Sequence, residues 1–180
     1  ANGVPLDRIR PVAKPLAREW RKVLKRTPKT TVPIALDDAY RTVADKLAWD
    51  AERRVALDAE FARVRGVIAG FSFAKTGPFF DAPEAKEPGS GGLLSITVNP
   101  EACKGCNLCV TVCPDGALVT VKQTDDVVTR LRRNWSVWHA LPDTPDRFVN
   151  VRNADEGVGV LSTLLLKKGT YASMVGGDGA

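Results

Sequence analysis

Histidine occurs once in the 180 residues, at His139, and cysteine is absent from residues 1–102 and 114–180. These absences exclude much. Zinc sites commonly use two separated Cys/His pairs, and no second pair exists here. A disulfide framework needs cysteines spread along the chain and an oxidising compartment. Two bridges within one short run would strain disulfide geometry. A lone histidine close in sequence to Trp135 and Trp138 reads as a packed or surface residue rather than a ligand. No apolar run approaches the roughly 18 residues of a membrane span. The longest, 158–166, is broken by Gly159, Ser162 and Thr163 and reads as a buried strand or short helix. The start of the chain lacks a basic segment leading into an apolar block, so no secretory signal is expected. Reduced thiols without an export signal point to a cytoplasmic setting. Nothing resembles a nucleophile paired with a base, so no catalytic residues of its own are expected.

Acidic residues are scarce in one place. Residues 1–30 carry nine Lys and Arg against Asp7 and Glu19. That segment holds +7, which leaves −2 for the remainder of a chain whose net charge is +5. Such an arm can be a solvated helix face or a dock for acidic protein surface. No nucleic-acid motif accompanies it, so nucleic acid is not an expected partner.

What the chain does have is concentrated. Its four cysteines form the run Cys103, Cys106, Cys109 and Cys113, spaced C-x2-C-x2-C-x3-C and followed by Pro114. This is the bacterial-ferredoxin spacing for thiolates on an iron–sulfur cluster. Two-residue gaps let a tight loop turn successive thiolates toward one small body. Gly105 supplies freedom at positive φ, and Pro114 fixes the exit. The four cysteines are therefore the candidate metal and cofactor ligands, with a [4Fe–4S] cluster as the expected group. In two-cluster ferredoxins the fourth cysteine of such a run ligates the other cluster. No second run exists here. Cys113 is then recruited locally, or the chain is part of something larger, or a cluster keeps an odd ligand or an open iron.

Around this run the expected class is α+β: an N-terminal helical extension, then a ferredoxin-like 4Fe-4S unit and an irregular C-terminal tail. Residues 1–33 are punctuated by prolines, with one helix expected from Pro15 to Arg26, since proline suits a first helical position. Ile34 to Arg65 contains no breaker and reads as one helix ~45 Å long, ended by Gly66. Leu36, Tyr40, Val43 and Leu47 make its apolar stripe, continued by Val55, Phe61 and Val64. Pro88-Gly89-Ser90-Gly91-Gly92 reads as a linker, dividing a bracing segment 1–92 from an iron–sulfur domain 93–180. A strand Leu93–Val98, the cysteine loop, a short helix Leu108–Val112 and a return strand Ala117–Lys122 would make half of a βαββαβ unit. Ile96, Val98, Val110, Leu118 and Val119 would supply its apolar shell. Arg130, Arg132 and Arg133 read as a solvated face.

The stretch Asn99-Pro100-Glu101-Ala102-Cys103-Lys104-Gly105-Cys106, continuing through Cys109-Val110-Thr111-Val112-Cys113-Pro114-Asp115-Gly116-Ala117-Leu118, resembles the second cluster motif of the pyruvate:ferredoxin (2-oxoacid) oxidoreductases. The tail is similar too. Leu141-Pro142 falls in a polar stretch, and Gly179-Ala180 resembles the approach to that family's thiamine-diphosphate domain. Gly177-Asp178-Gly179 resembles the opening of a thiamine-diphosphate motif. The resemblance covers about residues 93–180 and implies a piece of a larger enzyme. There thiamine diphosphate, in an adjoining domain or chain, decarboxylates a 2-oxoacid, and electrons leave through clusters to ferredoxin or flavodoxin. Expected partners are the other domains or subunits of such an enzyme, with no membrane. The chain departs from the family where an earlier cysteine run would complete the ligand set, because residues 1–92 hold no cysteine. Asp81 is an oxygen-ligand candidate by position. Two other readings stay open: a stand-alone carrier or iron–sulfur subunit of another reductase, and a scaffold that has lost its redox role.

Overall fold

The structure is a computed structural model that describes residues 6–27 and 31–149. The apolar element expected at 158–166 and the glycine-rich tail lie outside the described residues. The chain divides into two units, Ala1–Ile96 and Thr97–Ala180, and the α+β class holds: the helices are accompanied by one two-stranded antiparallel sheet.

The first unit packs helices α1 (Ile9–Arg26), α2 (Val32–Ala44) and α3 (Ala51–Ile68). Ile9, Val12 and Leu16 of α1 are buried against Leu36, Ala39, Tyr40 and Val43 of α2 and Leu57 and Phe61 of α3. Helix α1 begins six residues before Pro15, which sits inside it. The reason is tertiary. No side chain of α1 caps its own start, but the buried Glu60 carboxylate of α3 accepts from Arg8 N and Ile9 N, both at 2.9 Å. Free amides at a helix start and the positive end of the helix dipole both favour an acidic partner there.

The single long helix expected over 34–65 is in fact α2 and α3, separated by a turn. Thr31 and Pro33 open α2, and the Asp50 side chain caps α3 by accepting from Arg53 N at 2.8 Å. Gly66 lies within α3 and does not end it. Tyr40 and Phe61 explain the break: their rings stack with centroids 3.7 Å apart and planes within 4°. In one continuous helix the two Cα atoms would stand about 31 Å apart. Folding back also lets Arg65 grip Asp37 through both carboxylate oxygens, at 3.0–3.1 Å. Val55, expected on the apolar stripe, is 68% exposed.

The glycine-rich stretch read as a linker is pinned. It follows a π-type turn (Gly77–Asp81) and helix α4 (Ala82–Lys86). The buried Glu84 Oε2 accepts from Gly89 N and Gly91 N at 2.9 and 3.0 Å, and Oε1 pairs with Lys25 Nζ of α1 at 3.2 Å. Burial raises the Glu84 pKa, but the Gly91 and Gly89 amides and the Lys25 ammonium outweigh it, leaving the group below its ordinary value. Gly91 is there for space: a Cβ would lie 2.9 Å from Phe80 O and 3.1 Å from Glu84 Oε2. Phe80, 2% exposed, packs with Leu24, Val32 and Ala35 in a second apolar cluster.

Strand β2 is only Leu94–Ser95, and it pairs with β1 (Phe73–Ala74), Phe73 opposite Ser95. The expected six-residue strand is thus shortened and paired with a partner in the first unit. The expected return strand at 117–122 has no ladder. In the second unit α5 (Leu108–Thr111) and α6 (Asp125–Ala140) are the α-helices among the described residues. Helix α6 was not expected. Thr124 Oγ1 caps it, accepting from Val127 N, and Asp125 and Asp126 favour its first turn. Trp135 and Trp138 stack along it with centroids 4.9 Å apart. Arg130, Arg132 and Arg133 are exposed.

Candidate metal centre

The loop that carries the cysteines is shaped by short polar contacts. Asn99 Oδ1 accepts from Glu101 N at 3.0 Å, and Asn99 O accepts from Cys103 N at 3.0 Å, turning the chain into the run. Gly105 (φ 64°) and Asn107 (φ 60°) both adopt left-handed backbone. Asparagine is among the few non-glycine residues that tolerate this conformation. Asn107 also accepts from Thr111 N at 2.9 Å and from Thr111 Oγ1 at 3.0 Å, which starts α5. Its Oδ1 accepts from Thr120 Oγ1 at 2.8 Å, tying the loop to the segment beyond the last cysteine. Glu101 pairs with Arg132 of α6.

Cys103, Cys106 and Cys109 are exposed and Cys113 is half-buried. Among the described residues no group of three or more Cys, His, Asp or Glu is gathered closely enough to hold a metal ion. The structure therefore places the four predicted ligands on one short loop without converging their sulfurs. Cys113 is set apart from the other three. Its Sγ accepts from Ala117 N at 3.3 Å, across a turn in which Gly116 N donates to Cys113 O and Gly116 takes φ 58°. The Ala117 amide, helped by those of Asp115 and Leu118, holds the Cys113 thiol below its usual pKa against some burial and the Asp115 charge. That is preparation for a thiolate, the form in which cysteine binds metal.

Asp81, the oxygen-ligand candidate, is paired with Lys75 Nζ at 3.0 Å. His139 is exposed and lies tilted 6.4 Å from Trp135. Of the expected apolar shell, Ile96, Val98, Leu118 and Val119 are exposed rather than packed, and Val110 is half-buried. Sequence reasoning missed Asn107 and Thr120. The left-handed tolerance of asparagine was a readable signal for the first; a hydroxyl thirteen residues away gave none.

By donor chemistry the set fits an iron–sulfur cluster: four soft sulfur ligands, two left-handed hinges between them, and amides directed at one sulfur. Comparison with known proteins agrees. Residues 96–119, which contain all four cysteines, match the 4Fe-4S binding domain. The class of the segment is thereby that of the ferredoxin-type iron–sulfur domains. Over 88 residues the chain is 32% identical to pyruvate-flavodoxin oxidoreductase of Rhodospirillum rubrum, an alignment covering 45% of this chain and 7% of that protein. The chain therefore spans a small part of the length of the curated relative it matches. No solved structure matches the chain. No helix among the described residues is long and apolar enough to cross a membrane.

Proposed function

We propose that this chain is the electron-transfer part of a larger 2-oxoacid:acceptor oxidoreductase, with a [4Fe–4S] cluster on Cys103, Cys106, Cys109 and Cys113. The observation that carries the reading is that the match to a 4Fe-4S binding domain spans all four cysteines. When bound, the cluster supplies a one-electron centre. The chain's own residues do the rest. Gly105 and Asn107 bend the loop so that three thiolates can face one body, and the amides around Cys113 favour its thiolate. Hydrogen bonds to sulfur are also a lever on cluster potential. Thiamine diphosphate belongs to an adjoining domain or chain, ferredoxin or flavodoxin is the acceptor, and the cytoplasm is the setting. The similarity to a pyruvate-flavodoxin oxidoreductase supports that context.

Iron and sulfide analysis with EPR on anaerobically purified, dithionite-reduced protein tests the reading. Four-iron clusters with a reduced S = 1/2 signal are expected; zinc, or no metal, would overturn it. The chain supplied with 2-oxoacid and coenzyme A should reduce no acceptor, because the decarboxylating cofactor lies elsewhere.

A further inference from the structure

Asn107 and Thr120 stand thirteen positions apart and are joined by one hydrogen bond, in which Thr120 Oγ1 donates to Asn107 Oδ1 at 2.8 Å. Cys109 and Cys113 both lie within the loop that this bond closes. Thr120 belongs to the segment 117–122, which joins no ladder. Near its start that segment is held by Ala117 N on Cys113 Sγ at 3.3 Å, and toward its far end by Thr120 on Asn107.

The conformation of the cysteine loop turns on Asn107. It directly follows Cys106 and stands two positions before Cys109. Its φ of 60° is the positive value found at a non-glycine residue among those described. A side chain makes this backbone region unfavourable, so it persists where surrounding contacts hold it. Asn107 has such contacts at both ends. Its backbone carbonyl accepts from Thr111 N and Oγ1, and its side-chain carbonyl accepts from Thr120. Gly105, at φ 64°, needs no comparable support. Joining left-handed to right-handed residues turns successive backbone N–H groups toward one side. Such concavities bind anions at many phosphate and iron–sulfur sites. Asn107 is left-handed, and Leu108 opens α5 after it. The amides of Gly105, Cys106, Leu108 and Cys109 donate to no acceptor among the described residues, and all four residues are exposed.

We propose that Thr120 is a positioning residue for the cluster: its hydroxyl, acting through the Asn107 side chain, fixes the left-handed turn that presents the loop's unused amides beside Cys106 and Cys109. Hydrogen bonds to cluster sulfur are a lever on the potential. Donors favour the reduced cluster, which carries the extra negative charge, and so raise the potential. Without the Thr120 bond the amides lose their fixed direction, the potential falls and iron leaves more readily. The role is the same whichever cluster Cys113 serves. This rests on the iron–sulfur reading above.

The test uses the full-length protein, purified anaerobically. The cluster of this loop is identified as the reduced-state EPR signal that Cys106→Ala removes. Thr120→Val keeps the branched shape and deletes the hydroxyl. It should move the reduction potential of that signal to a more negative value. It should also release iron to a chelator about tenfold faster, the low end of the loss seen when a partner that orients a metal ligand is removed. Asn107→Gly keeps left-handed backbone accessible and deletes Oδ1, and should shift the potential in the same direction. The double variant should change no more than the larger single, because the two substitutions remove one shared bond. Thr120→Ser should restore the wild-type potential and release rate. A wild-type potential in Thr120→Val would overturn the proposal and leave the iron–sulfur reading intact. Additive losses in the double variant, or no rescue by serine, would overturn it in the same way. If Cys106→Ala removes no signal, the loop holds no redox cluster, and both the proposal and the iron–sulfur reading fall.

Discussion

The two units of this chain solve opposite problems. In the first, Leu36, Leu57 and Phe80 are almost wholly removed from water. Polar groups at its joints are satisfied across long sequence gaps, as Glu60 is with the start of α1. In the second, Asn134 is the buried residue among those described, while Val119 and Val121 stand 76% and 60% exposed. Fully burying one Leu or Phe side chain contributes about 1.5–3 kcal/mol. The first unit draws on several such contributions, and the described part of the second on none. A region so poor in core needs order from elsewhere. Metal binding can supply it, because binding free energy to a site absent from the unfolded chain is folding free energy. The difference teaches that a short ligand run can define a domain by chemistry, while a bundle must do so by area.

That contrast can be broken or sharpened experimentally. The largest effect is expected from Cys106→Ala, which should abolish most iron incorporation, read from iron analysis and visible absorbance, while the helical signal of the first unit persists in circular dichroism. Loss of that helical signal on cluster removal would break the comparison. Next, Leu57→Ala should cost ~2–5 kcal/mol in urea denaturation, whereas Val119→Ala, at a site exposed in the single chain, should stay within ~0.5 kcal/mol in protein without cluster. Equal losses would show that the second unit has a core of its own. Gly91→Ala should cost ~1–3 kcal/mol, because the new methyl meets the Phe80 carbonyl and the Glu84 carboxylate. Glu60→Ala removes a cap supplied from another helix and should cost ~0.5–2 kcal/mol. The smallest effect concerns pH. Glu84 has a lowered folded-state pKa, so its contribution is complete above the ordinary glutamate range and is lost as pH falls through the lowered value. Acid denaturation of Glu84→Gln should accordingly be shallower than that of the wild type.

Legibility followed the range of the interactions involved. The cysteine spacing was plain because ligand geometry acts over a few residues. The buried stripe of Leu36, Tyr40 and Val43 was plain because helical period does too. The fold-back between α2 and α3 was not, since no glycine or proline marks it and its cause is a ring stack between residues twenty-one positions apart. Helix α6 went unread although Thr124, Asp125 and Asp126 form a start signal, because the cationic residues around Arg130 dominate the stretch. The glycine-rich stretch at 88–92 resembled a linker by composition, and only the Glu84 carboxylate beneath it turns flexible residues into a fixed loop.

By itself, then, the sequence determined the chemistry of the candidate metal centre: which atoms are soft donors and how far apart they lie along the chain. Tertiary structure decided how the helices of the first unit pack and what each polar group does. Glu60 became a helix cap, Gly91 a close-packed contact and Asn107 a left-handed hinge. Local spacing suffices where a small body imposes the geometry. Where burial imposes it, the partners are chosen by three-dimensional proximity, which a linear chain does not display.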